Sequence, residues 1–239
     1  MLFASDRIYE SAEGERYFIN RYSFVERCIS EGGFEKTRAA FLRKQLGPGD
    51  IFIDIGANIG LFTILAARRG ATVEAFEPAP FNYERLERNI QLNHFRAGQV
   101  ASHPCALGNS SGEVTLRRPL NDNYGMASIV ARHAPDGIRV PVRRLDDALC
   151  VSARRYVVKV DVEGAELQVL EGAKATLGKM KSGSLWLVEV HVTEGVEVDS
   201  VAECFRQLGY AVTYFNDETG EITRQAEPGT DPLLLAQRP

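Results

Sequence analysis

Lys159, Asp161 and Glu163 fall at every second position of the run Tyr156-Val-Val-Lys-Val-Asp-Val-Glu163, and Gly-Ala-Glu166 follows directly. On an extended chain alternate side chains share a face, so these three point the same way, with Glu166 one turn into the helix after them. Three carboxyls beside one ammonium can move a proton or hold a cation. The plainer alternative is that Asp161 and Glu163 only cap the helix that starts near Gly164. Glu189 and His191 alternate in the same way at the end of the run 185–191. Asp161 is the first candidate base and His191 the second, with Glu163 and Glu189 orienting the base or the acceptor. The spread of carboxylates would permit a divalent ion, but nothing in the spacing requires a metal.

A second signal is Asp54-Ile-Gly56-Ala57-Asn58-Ile-Gly60 at a strand-to-helix turn. Ligands of open α/β sheets bind outside the carboxyl ends of the strands, and glycines there let a ligand approach the backbone and the helix N-terminus. The Gly-x-x-x-Gly spacing differs from the Gly-x-Gly-x-x-Gly turn of dinucleotide binders and lacks the Gly-Lys-Ser/Thr ending of a phosphate loop. Glu77 ends the next strand 17 residues after Gly60, just before Pro78. An acid there can accept hydrogen bonds from both hydroxyls of a ribose. Turn and acid together point to an adenosine-type cofactor. Gly108-Asn-Ser110-Ser-Gly112 imitates a nucleophile elbow, and Ser110, Asp161 and His191 follow a hydrolase order. The elbow needs a helix straight after its serine, whereas Glu113-Val-Thr-Leu116 reads as extended, so this match is expected to be a turn.

The 239 residues are 44% hydrophobic and 25% charged, which is ordinary for a soluble globular chain. Such a length buries about 70% of its surface on folding, enough for one sizeable core and too little for a full second domain. A net charge of −4 and dispersed arginine pairs argue against a nucleic-acid partner. No apolar run approaches the roughly 20 residues of a bilayer span, and the first six residues lack signal-peptide character. Cys28, Cys105, Cys150 and Cys204 have no metal-ligand spacing and read as free thiols of a reducing compartment. A cytoplasmic protein with no membrane partner is expected, with a homo-oligomeric state left open.

The elements that must position these groups alternate strand and helix. Strands are expected at 51–54, 72–77, 100–107, 113–116, 156–161, 185–191, 211–215 and 233–236. Helices are expected over 61–69, through Tyr83, Leu86 and Ile90, through Leu170, Ala173 and Leu177 up to Gly178, and through Val201, Phe205 and Leu208. This predicts an open, mostly parallel α/β sheet, residues 47–239, with an antiparallel terminal hairpin. Residues 1–46 fit it less well: the spacing of Phe18, Tyr22 and Val25, then Ala39, Leu42 and Leu46, predicts two helices forming an N-terminal cap. The polar stretch 117–140 exceeds an ordinary connection and suits a lid or binding loop.

From about Phe34 to His191 the chain resembles the FkbM-type family of S-adenosylmethionine-dependent methyltransferases. The resemblance is carried by Gly49-Asp-Ile-Phe-Ile-Asp-Ile-Gly-Ala-Asn-Ile-Gly60, Phe76-Glu-Pro78, Asn89, Asn93, Lys159-Val-Asp-Val-Glu-Gly-Ala-Glu166 and Glu189-Val-His191. It implies the seven-stranded class I methyltransferase sheet, a Rossmann-like fold, and O-methylation of a hydroxyl on a sugar, polyketide or other small molecule. It further implies that Asp54, Gly56, Ala57, Asn58 and Gly60 border the methionine part of S-adenosyl-L-methionine, that Glu77 and Pro78 lie at the ribose, and that Ala106 and Leu107 lie near the adenine. Two rival readings stay open on the residues alone. One is a nicotinamide-dependent oxidoreductase, and the other is a non-catalytic subunit that retains the cofactor site.

Overall fold

The N-terminal segment divides differently from its apolar spacing. In the computed structural model, which describes residues 6–20, 23–117, 129–130, 137–149, 153–226 and 231–239, β1 (Arg7–Glu10) and β2 (Arg16–Ile19) form an antiparallel hairpin. Two helices follow, α1 (Phe24–Ser30) and α2 (Lys36–Gln45). Of the expected first helix, Val25 lies in α1 and Tyr22 lies outside the described residues, whereas Phe18 belongs to β2, where buried Tyr17 and Ile19 alternate with half-buried Arg16 and Phe18, a period of two. The expected second helix is α2, which buries Ala39 and Leu42 with Leu46 just beyond its end.

The central strands are apolar at nearly every position because helices cover both faces of their sheet. β3 (Ile51–Ile55), α3 (Leu61–Arg68), β4 (Thr72–Phe76), α4 (Pro80–Leu92) and β5 (Val100–His103) wind one half of it. Pro80 opens α4, where its missing N–H has no helical partner to lose. Asn89 and Asn93 of α4 tie down the hairpin: Asn89 Oδ1 accepts from Phe18 N at 2.8 Å and Asn93 Oδ1 from Arg16 N at 3.0 Å. Glu74, an awkward residue for a buried strand, meets His103 Nε2 at 2.7 Å on the neighbouring strand.

The expected strand 100–107 is two strands. After β5 the chain leaves the main sheet, and β6 (Ala106–Leu107) joins β7 (Gly112–Leu116), β8 (Ile129–Val130) and β9 (Ile138–Arg143) in a separate sheet ordered β6-β9-β7-β8. Residues 109–111 bend between β6 and the extended β7, with Ser110 exposed, so no nucleophile elbow exists there. Residues 118–128 and 131–136 of the expected loop lie outside the described residues.

The second half of the main sheet follows the short helix α5 (Leu145–Ala148). It comprises β10 (Tyr156–Val160), α6 (Glu166–Gly172), α7 (Lys174–Lys179), β11 (Leu185–Glu189), α8 (Val198–Gln207), β12 (Ala211–Phe215), β13 (Ile222–Thr223) and β14 (Leu233–Gln237). The order is β13-β12-β14-β11-β10-β3-β4-β5, parallel from β11 to β5 and antiparallel at β14. The short β13 makes eight strands where seven were expected, and it joins β12 to β14. On one face Ile53, Val158 and Trp186 pack with Leu170, Leu177 and Phe205 of α6, α7 and α8. On the other, Phe52, Val157 and Leu187 pack with Leu42, Leu65 and Leu86 of α2, α3 and α4. No helix among the described residues is long and apolar enough to cross a membrane.

The helix expected to end at Gly178 is broken at Ala173 instead, and Gly178 lies inside α7. A Cβ on Gly178 would meet nothing within 4 Å, whereas one on Gly172 would fall 1.9 Å from the Gly108 carbonyl oxygen. Gly178→Ala should therefore raise stability by about 0.5–1 kcal/mol, because alanine loses less backbone freedom on folding. Gly172→Ala should lower it by more than about 2 kcal/mol. Thermal or denaturant unfolding checks both, and equal effects would contradict the packing described.

Candidate functional site

β3, β4 and β10 end side by side, and a cleft of about 580 Å³ opens beyond their carboxyl ends. The N–H groups of Gly56 and Ala57 both donate to the Phe76 carbonyl at 3.0 Å, which folds the chain back over β4. Gly56 has φ +80°, and a Cβ there would stand 1.8 Å from the Asp161 carbonyl oxygen. Glycine is thus required both by conformation and by the approach of the β10 segment. Of the residues expected at the cofactor, Gly56, Asn58, Glu77, Pro78, Ala106 and Leu107 line the cleft. Asp54, Ala57 and Gly60 lie behind it. Asp54 is fully buried, its Oδ2 accepting from Thr63 Oγ1 at 2.6 Å, and a Cβ on Gly60 would strike Leu86 Cδ1 at 2.6 Å.

Glu77 is buried, and its two oxygens accept from Asn58 N and Ala79 N, each at 2.8 Å. Asn58 can donate in this way because it adopts a left-handed φ of +51°. Burial pushes the Glu77 carboxyl up to about 7 despite these donors and the Asn82 side chain. Phe76, Cys105, Leu107 and Leu116 supply apolar wall beside it. Sequence reasoning missed Asn82, Cys105 and Leu116; the departure of β6 and β7 into the second sheet brings Cys105 and Leu116 to the cleft.

The cleft's other end is acidic. Lys159 Nζ bonds Asp161 Oδ2 at 3.0 Å, and both Asp161 and Glu163 line the cleft. Burial opposes the Asp161 charge, but Lys159 and Arg38 hold its carboxyl below the usual range. Glu163 sits at φ +51°, a strained conformation for this residue, and thereby turns toward His191, whose Nε2 lies 3.5 Å from Glu163 Oε2 and 3.8 Å from Asp161 Oδ1. Burial raises the Glu163 carboxyl to about 7, His191 tempering and Asp161 adding to the effect. His191 Nδ1 is 2.7 Å from Oε1 of the fully buried Glu166. Burial disfavours the imidazolium, yet Glu166, Asp161 and Glu163 lift its pKa to about 9. A pKa raised in this way favours the protonated ring.

Glu189 lies beside this cluster, with a carboxylate oxygen within 4.8 Å of those of Asp161 and Glu35. Its Oε2 accepts from Arg38 at 2.7 Å, and Arg38 also reaches Glu35 and Asp217 at 3.0 Å each. Glu166 is the residue that orients His191. Glu35, Arg38 and Asp217 escaped the sequence reading, although Glu35 and Arg38 share with Leu42 the face of α2 that turns inward. Two sets of donor atoms each lie within 4.8 Å of one another and could hold a metal: Asp161, Glu163 and His191, and Glu35, Asp161 and Glu189.

Among the described residues the lining includes three carboxyls, Glu77, Asp161 and Glu163, and no lysine or arginine. Such a lining suits a hydroxyl-bearing or cationic ligand. Glu77 also makes stability pH-dependent. Its folded value of about 7 lies above its ordinary 4.5, so its stabilising share is complete below about 4.5 and is lost as the pH rises through 7. A carboxyl-carbon NMR titration should give Glu77 a midpoint near 7, and a midpoint near 4.5 would contradict the burial described.

The model of the methyltransferase FkbM domain matches residues 54–212. The chain is 29% identical over 238 residues to a protein of Streptomyces tacrolimicus named 31-O-demethyl-FK506 methyltransferase FkbM, covering 85% of each chain. It is 31% identical to the hexuronic acid methyltransferase AglP of Haloferax volcanii, covering 77% of this chain and 74% of that one. Among solved structures, a methyltransferase FkbM from Methylobacillus flagellatus superposes with a TM-score of 0.53 at 19% identity. That match covers 81% of this chain and only 44% of that one, and it speaks for the shared fold. With the matched domain spanning the glycine turn, Glu77, Asp161 and His191, the chain belongs to the FkbM methyltransferase family.

Proposed function

We propose that the chain transfers a methyl group from S-adenosyl-L-methionine to a hydroxyl of a small molecule. The observation that carries this reading is one cleft with the Glu77 carboxyl at one end and the Asp161–Glu163 pair at the other, its described lining without a lysine or arginine. The printed names of two relatives, for 31-O-demethyl-FK506 and for a hexuronic acid, support an oxygen-rich small acceptor. Free Cys28, Cys105 and Cys204 support a reducing compartment.

When bound, S-adenosyl-L-methionine supplies an electrophilic methyl carbon, to which the acceptor oxygen bonds as the carbon–sulfur bond breaks. Glu77 would accept the ribose hydroxyls on the lone pairs that Asn58 N and Ala79 N leave free. Phe76, Leu107 and Leu116 would flank the adenine. Alignment of acceptor, methyl and sulfur can supply up to roughly 7–11 kcal/mol of the barrier, so positioning is the largest contribution. The acceptor hydroxyl must also lose its proton. Asp161, ionised beside Lys159 and facing the cleft, is placed to take it, and such a base adds about 10²- to 10⁴-fold. Glu163 and the Glu166-held His191 steady that carboxylate. The oxidoreductase reading is disfavoured because a nicotinamide dinucleotide would bring two phosphates to a cleft lined by acids.

Two variants separate binding from turnover. Glu77→Ala should weaken S-adenosylhomocysteine binding by about 10-fold or more in calorimetry, since the ribose loses its charge-assisted partner. Unchanged affinity would remove Glu77 from the cofactor site. Asp161→Asn should leave that affinity within about twofold while lowering methyl transfer at least about 100-fold, followed by mass spectrometry on a panel of sugar and polyketide acceptors. Near-normal turnover would remove Asp161 as base. A thermal shift with NAD in place of S-adenosylhomocysteine would favour the oxidoreductase.

A further inference from the structure

We propose that Asp161, Glu163 and His191 bind one divalent cation of the first transition row, which holds and acidifies the acceptor hydroxyl. The role rests on the methyl-transfer reading, whereas the binding itself does not.

The donors are of three side chains and face one another across a gap. His191 Nε2 is 3.5 Å from Glu163 Oε2 and 3.8 Å from Asp161 Oδ1, and all three donor atoms lie within 4.8 Å of one another. Neither carboxylate forms a hydrogen bond with Nε2, although only 8% of the imidazole side chain is exposed. The mostly buried imidazole thus points its Nε2 between two carboxylates, ion-paired with them at 3.5 and 3.8 Å rather than in close hydrogen bonds. Two atoms that each bind one ion at about 2.1 Å stand about 3.0–3.4 Å apart at octahedral to tetrahedral angles, and farther at wider ones. The observed separations suit a shared ion better than a direct contact.

The surroundings point the same way. Metal-binding imidazoles donate their other ring N–H to a carboxylate, which fixes the ring and its tautomer. Here Nδ1 meets fully buried Glu166 at 2.7 Å, which leaves Nε2 to the gap. The Asp161 carboxylate divides its oxygens, Oδ2 to Lys159 and Oδ1 toward His191. The second donor set is already used, because Arg38 occupies both Glu35 and Glu189. One imidazole with two carboxylates favours Mn²⁺, Fe²⁺ or Zn²⁺ over the all-oxygen preference of Ca²⁺ or Mg²⁺. Binding of the ion needs Nε2 without a proton, so affinity should fall at low pH. Since Asp161 and Glu163 line the cleft, an open position on that ion would face the acceptor, and a bound hydroxyl would pass its proton more readily to the adjacent Asp161 carboxylate, whose Oδ2 the ion does not engage.

The test titrates Mn²⁺, Zn²⁺ and Mg²⁺ separately into the full chain after chelator treatment, with calorimetry for all three and electron paramagnetic resonance for Mn²⁺. Mn²⁺ or Zn²⁺ should bind one per chain with a dissociation constant of about 100 µM or tighter, and Mg²⁺ more weakly. Glu163→Gln and His191→Asn should each weaken binding at least 10-fold, and Glu166→Gln about 10-fold or more although it touches no ion. Glu189→Gln should stay within about threefold, and unchanged circular dichroism and melting would establish that the variants fold. No saturable binding of any of the three ions up to about 1 mM by the wild-type chain would overturn the proposal. So would binding that survives both Glu163→Gln and His191→Asn, or that depends on Glu189 instead. S-adenosylhomocysteine binding measured in chelator separates the two readings: its loss sinks the methyl-transfer role and leaves the ion site standing, whereas its presence without any metal binding sinks the ion site alone.

Discussion

The site depends on how closely two parallel strands finish together. β3 and β10 pair in register from Ile51 opposite Tyr156 to Ile55 opposite Val160, and the Asp161 N–H continues the ladder to the Ile55 carbonyl at 3.0 Å. This leaves no room for a side chain at position 56, where a Cβ would stand 1.8 Å from the Asp161 carbonyl. One backbone contact thereby joins the glycine turn to the acid segment. The proposed cofactor end and the Asp161 end of the cleft thus meet along one continuous edge of paired strands.

Around that edge the chain buries several charges together. Lys159 and Arg38 are buried among acidic partners and hold the Asp161 carboxyl below its usual range. Burial pushes Glu163 and Glu77 up, while Glu166, Asp161 and Glu163 raise His191. Buried ions persist only when paired or ligated, and here each buried charged side chain has at least one partner, although Asp54 Oδ1, Glu166 Oε2, Asp217 Oδ1 and Arg38 Nε are left without one among the described residues. The cost of keeping those groups desolvated is met by the packed strands beneath, where Ile53, Val158 and Trp186 are fully buried.

Much of this was legible in the residues because period and position carried it. Continuous apolar runs marked the strands covered on both sides, and the acids that matter sit where those runs end. Alternation at 159, 161 and 163 brought Lys159 and Asp161 into contact as expected, while Glu163 joined them through a left-handed turn that no pattern announced. The hairpin of residues 7–19 was hidden because Phe18, Tyr22 and Val25 also satisfy helical spacing, and the split of 100–107 because short strands of two sheets read as one. Arg38 was illegible for a different reason. Its partners Glu189 and Asp217 lie 151 and 179 positions away, and only the folded sheet brings them to α2. Asn89 and Asn93 carried family resemblance, yet the structure gives them to the N-terminal hairpin rather than to the cleft.

The central claim is that a single cleft spans from Glu77 to Asp161 and takes the donor along its length. A crystal structure of the chain grown with S-adenosylhomocysteine tests it most directly. The account requires both ribose hydroxyls on the Glu77 carboxylate, the adenine against Phe76 and Leu107, and the sulfur at the end that Asp161 and Glu163 line. Density for the ligand elsewhere, or with its ribose away from Glu77, would contradict it.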